Sequence, residues 1–303
     1  DATGGRGGAL YSAAQDVIAL DHVAVRGSFA AGNGGGIYVV GNTKIQDSVF
    51  SGNLSQIAGG GIAVAGWTLD IERTAIVGNE AQAAKPQITQ VSSGGGGLYT
   101  NIRYGLRISN TTISGNRTAG EAAALIRVFR SYANIRISNS SIVDNFIGVL
   151  DDMSQQGGLK IDNTDGFMLD NPALVANTVV AGNRPATAPE RGADCTLTSR
   201  VAIATRYNLV QVPQGCGFTG EGDVTGVDPR LEPLDTSLAI PVQRPMAGSP
   251  LIDAGDPGDG CERSDALGTA RPLDGNGDGV ARCDIGAVEV QVERIFANGF
   301  EAR

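Results

Sequence analysis

Apolar and polar positions along this chain keep step with a set of asparagines. Taking Asn33, Asn53, Asn79, Asn116, Asn145 and Asn183 as anchors, the residue eight places earlier is Val25, Ile45, Ile71, Ile108, Ile137 or Val175, always aliphatic and β-branched. Five places earlier stands a small hydroxyl residue: Ser28, Ser48, Thr74, Thr111, Ser140 or Thr178. Three places earlier stand Ala30, Phe50, Ile76, Ile113, Ile142 and Val180, and directly before each anchor stand Gly32, Gly52, Gly78, Gly115, Asp144 and Gly182. Short β-branched runs closed by Gly-Asn read as strands ended by tight turns, because both residues accept left-handed backbone angles. A second small run follows most anchors, as in Gly35-Gly36-Ile37, Gly60-Gly61-Ile62 and Gly96-Gly97-Leu98. Each repeat therefore predicts at least two short strands and two turns.

A unit this small cannot bury its apolar face alone, whereas stacked copies bury one another and align their hydroxyls and amides into ladders. The predicted architecture is all-β: a single right-handed parallel β-helix, with loop insertions on one face and a disulfide-stapled C-terminal region. A propeller blade needs about 40–45 residues, and the step from Asn33 to Asn53 is only 20. A leucine-rich pattern is absent. The extra residues of the longer repeats enter between the asparagine and the next small run, at Leu54–Ala58, Glu80–Ser93 and Phe146–Gln156. Insertions at equivalent points of a solenoid emerge on one face, either as a binding rim or as tolerated surface loops. The coils are expected over residues 1–184, irregular C-terminal coils and a cap over 185–290, and a tail over 291–303.

The Gly-Gly-Gly-Ile and Ser-Gly-Asn pairs over residues 4–184 resemble the repeats of bacterial polymorphic outer-membrane proteins. Further on come Gly226-Val227-Asp228-Pro229-Arg230-Leu231, Gly248-Ser249-Pro250-Leu251-Ile252-Asp253-Ala254-Gly255-Asp256 and Arg271-Pro272-Leu273-Asp274-Gly275-Asn276-Gly277-Asp278-Gly279. The series ends in Cys283-Asp284-Ile285-Gly286-Ala287-Val288-Glu289. It resembles the C-terminal module of bacterial choice-of-anchor Q proteins. That resemblance implies a β-helix secreted from, or attached to the surface of, a bacterium, and it assigns no reaction.

Charge and composition narrow the functions. Lys plus Arg is 23 against 32 Asp plus Glu, a net charge of −9, so the basic field that nucleic-acid binding needs is missing. No apolar run is long enough for a membrane span. The four cysteines, Cys195, Cys216, Cys261 and Cys283, allow three pairings; the neighbour pairing Cys195–Cys216 and Cys261–Cys283 closes two short loops and is the one expected. Disulfides imply an oxidising compartment. The chain opens inside patterned sequence, which reads as a mature or trimmed product, and an uncapped first coil would invite end-to-end stacking of subunits.

Candidate binding residues gather near the insertions. Asp144, Asp151 and Asp152 supply carboxylates, and Arg127, Arg130 and Arg136 with Tyr132 supply cations and an aromatic in the adjacent coil. Such a set suits a sugar or uronate, and paired acids suit glycoside chemistry; local ion pairs on a solvated face would use the same residues. A glycan or protein partner is expected, with a polysaccharide lyase or glycoside hydrolase as the enzymatic alternative. Asn163-Thr164-Asp165-Gly166 resembles the first acidic motif of polygalacturonases, but the rest of that pattern is absent, and the lone His22 lies far upstream. Asp274-x-Asn276-x-Asp278-Gly279 has the oxygen spacing of a calcium loop, to which the Val280 carbonyl and Asp284 could add ligands. The same spacing also makes metal-free Asx turns.

Overall fold

The computed structural model describes residues 5–13, 16–82, 94–128, 133–148, 157–163, 170–185, 194–197, 201–258 and 260–291. Among them the fold is all-β and solenoid-like. Three parallel sheets hold 12, 8 and 6 strands, here called A, B and C. Each strand pairs with the equivalent strand one coil away, so Ile37, Ile62 and Leu98 stand in one register column and Phe50, Ile76 and Ile113 in another. Sheet A has two halves. The long strands Ile62–Glu72 and Leu98–Ser109 run through both, and a register shift between Ile102 and Gly105 marks the corner between them. The sequence columns become the core: Ile45, Ile71, Ile108, Ile137 and Val175 from sheet A face Phe50, Ile76, Ile113, Ile142 and Val180 from sheet B.

The asparagines form a buried ladder. The side-chain Nδ2 of Asn53, Asn79, Asn116 and Asn145 each donates to the Oδ1 of the next asparagine, at 2.9, 2.9, 3.0 and 2.8 Å. Each Nδ2 also donates to a carbonyl of the preceding coil: Val25, Phe50, Ile76 or Ile113. Each next Oδ1 accepts the backbone N–H of the asparagine before it as well. Buried polar groups are thereby satisfied without water. The ladder ends in a carboxylate: Asn183 donates its backbone N–H and Nδ2 to Asp194 Oδ1 at 3.1 and 3.0 Å. A parallel column, which carries hydroxyls and then Asn208, ends likewise at Asp223.

Two expectations need correction. Asn33 is not part of the ladder. Val25 pairs with Phe50, so Ser28 occupies the place held by Asn53 in the next coil, and Ser28 N–H donates to Asn53 Oδ1 at 2.9 Å. The residues after the anchors are not all insertion: Leu54–Ser55, Glu80–Ala81, Arg117–Thr118, Phe146–Ile147 and Arg184–Pro185 are, with Phe29–Ala30, the six strands of sheet C. Asp144, the one non-glycine among the residues before the anchors, adopts a left-handed φ of 55°, close to the φ of Gly52, Gly78, Gly115 and Gly182.

After the last strand of sheet B, Val224–Thr225, the chain turns back along the stack. Leu234 and Ile240 pack on Val49, Ala75 and Val77, and Leu251 and Ile285 pack on Val143, Val179, Ala181 and Leu209. Sheet B is thus buried on both faces. Ser114 Oγ donates to Gln243 Oε1 at 2.9 Å, and Ser141 Oγ accepts from the Ala287 N–H at 3.0 Å. A side chain at Gly286 would meet Ser141 Oγ at 3.1 Å and Val179 Cγ1 at 3.2 Å, so glycine lets this layer lie close to the sheet. Both expected disulfides are present, Cys195–Cys216 and Cys261–Cys283. Inside the layer, fully buried Arg271 and Glu289 pair at 2.8 Å, and Arg271 also donates to the carbonyls of Asp284 and Gly286. These residues belong to the Arg271–Glu289 motif series, so its polar members lock the layer internally. The layer runs along the side of the stack, where the sequence suggested an end cap.

Candidate functional site

With sheet B covered by the C-terminal layer, the outer face of sheet A carries the exposed aromatics Tyr11, Trp67 and Tyr104. Alternation in a strand sends every second side chain outward. In the first half the outward column reads Tyr11, Tyr38, Ala63, Tyr99, Leu125, Lys160. Tyr11 and Tyr38 stack with centroids 5.8 Å apart, and the Arg6 guanidinium lies 5.1 Å above the Tyr38 ring. Further along, Glu121 Oε2 receives Arg127 Nη2 at 2.8 Å and Lys160 Nζ at 3.0 Å. Asp162, opposite Arg127 in register, is 3.9 Å from its Nε. Two cations and two carboxylates balance, and Lys160 is buried. This network is built to hold a fixed geometry.

At the corner between the halves, Trp67 and Tyr104 meet edge to face at 6.3 Å, and both remain exposed, at 39% and 44%. They are outward because the strand breaks its alternation there: Leu69 and Ile71 point inward, as do Ile62 and Val64 before the corner. Beside this pair lie two outward columns of the second half. One is neutral, Asn42, Thr68, Gly105 and Asn134; the other is charged, Lys44, Asp70, Arg107 and Arg136. Thr68 Oγ1 donates to Asn42 Oδ1 at 2.7 Å. Arg107 reaches Asp70 at 3.4 Å and Glu262 of the C-terminal layer at 2.8 Å. Glu262 also accepts from Ser138 Oγ, so the layer borders these columns on one side and the aromatic corner borders them on the other.

The residues singled out in the sequence are dispersed. Arg127 belongs to the Glu121 network. Arg130, Tyr132, Asp151 and Asp152 lie outside the described residues, as do Thr164, Asp165, Gly166 and the tail beyond Gln291. Asp144 sits on the turn leaving sheet B, where its Oδ2 accepts Gln243 Nε2 at 2.7 Å. It lines a separate cleft of about 370 Å³ with Arg184, Gln211 and Asp228. The structure therefore does not bring Asp144 to Arg127. His22 pairs with its neighbour Asp21 at 2.7 Å. Asp47 lies close to both, but its two carboxylate oxygens already accept from Arg73 Nε and Nη2 at 2.7 and 2.8 Å.

In the proposed calcium loop the oxygens serve the loop's own backbone. Asp274 accepts the N–H groups of Gly277 and Gly279, Asn276 accepts that of Asp278, and Asp278 accepts that of Val280. A Leu273–Arg282 antiparallel bridge closes the hairpin. Asp284 lies beyond that bridge, and its carboxylate accepts from the N–H groups of Asp253 and Val290. The structure separates it from the other three. Burial pushes the Asp284 carboxyl up to about 7 and that of Asp194 up to about 6, in each case against the hydrogen bonds that favour the ion.

Sequence reasoning missed Trp67, Tyr104, Asn42, Thr68, Asn134, Arg107, Glu121 and Asp162. The alternating stretches 42–46, 68–72 and 134–138 carried the signal for these columns, since their inward residues fix the outward ones. The fold and the outer face of sheet A define the class of molecule as a β-solenoid-like protein with aromatic and polar columns on that face. No family model matches the chain, and no curated protein or solved structure matches it significantly.

Proposed function

We propose that this chain is a secreted or cell-surface bacterial protein that works as a glycan-binding scaffold. In this reading the three sheets are the faces of one right-handed parallel β-helix, and the glycan lies across the coils on the outer face of sheet A. The observation that carries the reading is the exposed Trp67–Tyr104 pair beside parallel columns of amides, hydroxyls and charges. Aromatic faces give sugars apolar stacking area, and the neighbouring polar groups meet hydroxyls. The balanced Glu121–Arg127–Lys160–Asp162 network favours binding over turnover, because each of its charges is already engaged. Two disulfides support an oxidising compartment. The resemblance to choice-of-anchor Q modules supports the surface setting.

The test is co-sedimentation with a panel of insoluble or gelled neutral and acidic polysaccharides, using the wild type, Trp67→Ala and Tyr104→Ala. Both side chains are exposed, so the variants keep the fold, which circular dichroism checks. Binding that each variant weakens about ten-fold, equal to about 1.4 kcal/mol, supports the reading. Release of reducing or unsaturated ends by the wild type would replace it with the lyase or hydrolase reading. Binding that both variants leave intact would move the site elsewhere.

A further inference from the structure

We infer that the ligand of the outer face of sheet A is an anionic polysaccharide, with Arg136 as the residue that selects its carboxylate; this rests on the glycan-binding reading above. The charged column reads Lys44, Asp70, Arg107, Arg136 on successive strands, which lie about 4.8 Å apart. Charges on this face are mostly committed. Arg73 takes Asp47 and Glu72, and Arg107 takes Asp70 and Glu262. Two cations of the column are exceptions among the described residues: exposed Lys44 and half-buried Arg136 have no carboxylate within ion-pair distance, and of the two only Arg136 has another guanidinium as a register neighbour. Its register neighbours are Arg107 on one side and Leu174 on the other.

Two guanidiniums on adjacent strands repel each other, and Leu174 offers no relief. Among the described residues this cation is left without a carboxylate while Arg73 and Arg107 are each given two. A ligand carboxylate at Arg136 would take a forked, charge-assisted pair of hydrogen bonds. Asn134, exposed in the neutral column two residues earlier on the same strand, would meet an adjacent hydroxyl. Trp67 and Tyr104 lie past Arg107, so a chain of sugars crossing the coils spans the aromatic corner and the cation together. The chemistry is that of a uronate-containing polymer: stacking faces, hydroxyls and regularly spaced carboxylates.

The experiment compares polygalacturonate with its fully methyl-esterified form, and alginate with a neutral glucan, by isothermal titration calorimetry on the whole chain. The variants are Arg136→Gln and, as a control on sheet C, the exposed Arg117→Gln. The expected result is at least ten-fold tighter binding of an acidic polymer than of its ester. Arg136→Gln should remove that margin and Arg117→Gln should keep it, and affinity should fall as salt rises. Equal binding of acid and ester, or binding of the neutral glucan alone, overturns the inference and leaves the glycan reading standing. An acid preference that survives in Arg136→Gln overturns the role of that residue. Failure to bind any polymer of either kind sinks both. An unchanged melting temperature in Arg136→Gln separates lost recognition from lost fold.

Discussion

Replacing Asn116 by alanine isolates the contribution of the amide ladder. Asn116 is completely buried. Its Oδ1 accepts the backbone N–H and Nδ2 of Asn79 at 3.0 and 2.9 Å, and its Nδ2 donates to the Ile76 carbonyl at 2.8 Å. Alanine removes these partners and leaves two donors on Asn79 and one acceptor on Ile76 without replacements. At about 1–3 kcal/mol for each buried polar group orphaned, the loss is about 3–9 kcal/mol, among the larger effects of a single substitution. In urea, with a slope near 3 kcal/mol/M, the midpoint falls by about 1–3 M. Asn33→Ala is the internal control. It has the same sequence context, but its buried Oδ1 has no hydrogen-bond partner, so alanine takes no acceptor from a neighbouring donor and the midpoint should move by less than about 0.2 M. Equal shifts for the two variants, or a shift below about 0.3 M for Asn116→Ala, would refute the claim that the ladder holds the coils together.

Three further outcomes follow from the polar interior. The raised Asp194 and Asp284 carboxyls bind protons in the folded chain that an unfolded aspartate, with a pKa near 3.9, has already lost. Their contribution to stability is therefore fully present below about pH 4 and is lost as pH rises towards about 7; Asp284→Asn should flatten the wild-type slope of melting temperature against pH across that window, and an unchanged slope would contradict it. Replacing Cys261 and Cys283 together by serine should raise hydrogen exchange and proteolysis within 226–291 while the ladder amides stay protected, whereas uniform loss of protection would show that layer and coils unfold as one unit. Calcium should leave the melting temperature unchanged, because backbone N–H groups already close the 274–280 loop; a rise that Asp278→Ala abolishes would show that the loop binds the ion.

Much of the stack was legible because stacking repeats the same demand in each coil. The positions eight and three before the asparagines recur as aliphatic residues since they face one continuous core, and the asparagines recur since each needs its neighbour's amide. The first coil misled because Gly32-Asn33 mimics the anchor pair, whereas the equivalent Gly27-Ser28 offers a hydroxyl residue in place of the amide. The strands of sheet C are two residues long, too short to show a period. The C-terminal layer buries Leu234, Ile240, Leu251 and Ile285 singly among glycines and prolines, so no periodicity announces that it covers sheet B.

The candidate site was harder to read. Acids drew attention as potential ligands, yet Asp144 fills a left-handed turn and is held by Gln243, and Asp284 serves the interior of the layer. Arg127 was found, but its partners Glu121, Lys160 and Asp162 come together only through register. Trp67 and Tyr104 face outward because of the irregularity at the corner of sheet A. Strict alternation would not have placed them side by side.

Trp67 is the only tryptophan in the chain and sits at the centre of the proposed site, so its fluorescence reports directly on the central claim. The measurement is a titration of the wild-type protein with soluble polygalacturonate, alginate and a neutral glucan, following emission wavelength and quenching by iodide. Sugar stacking on the exposed indole should give a saturable blue shift and loss of iodide quenching with at least one acidic polymer. Saturable binding seen by calorimetry while the Trp67 emission and its quenching stay unchanged would contradict the account and place the ligand on another face.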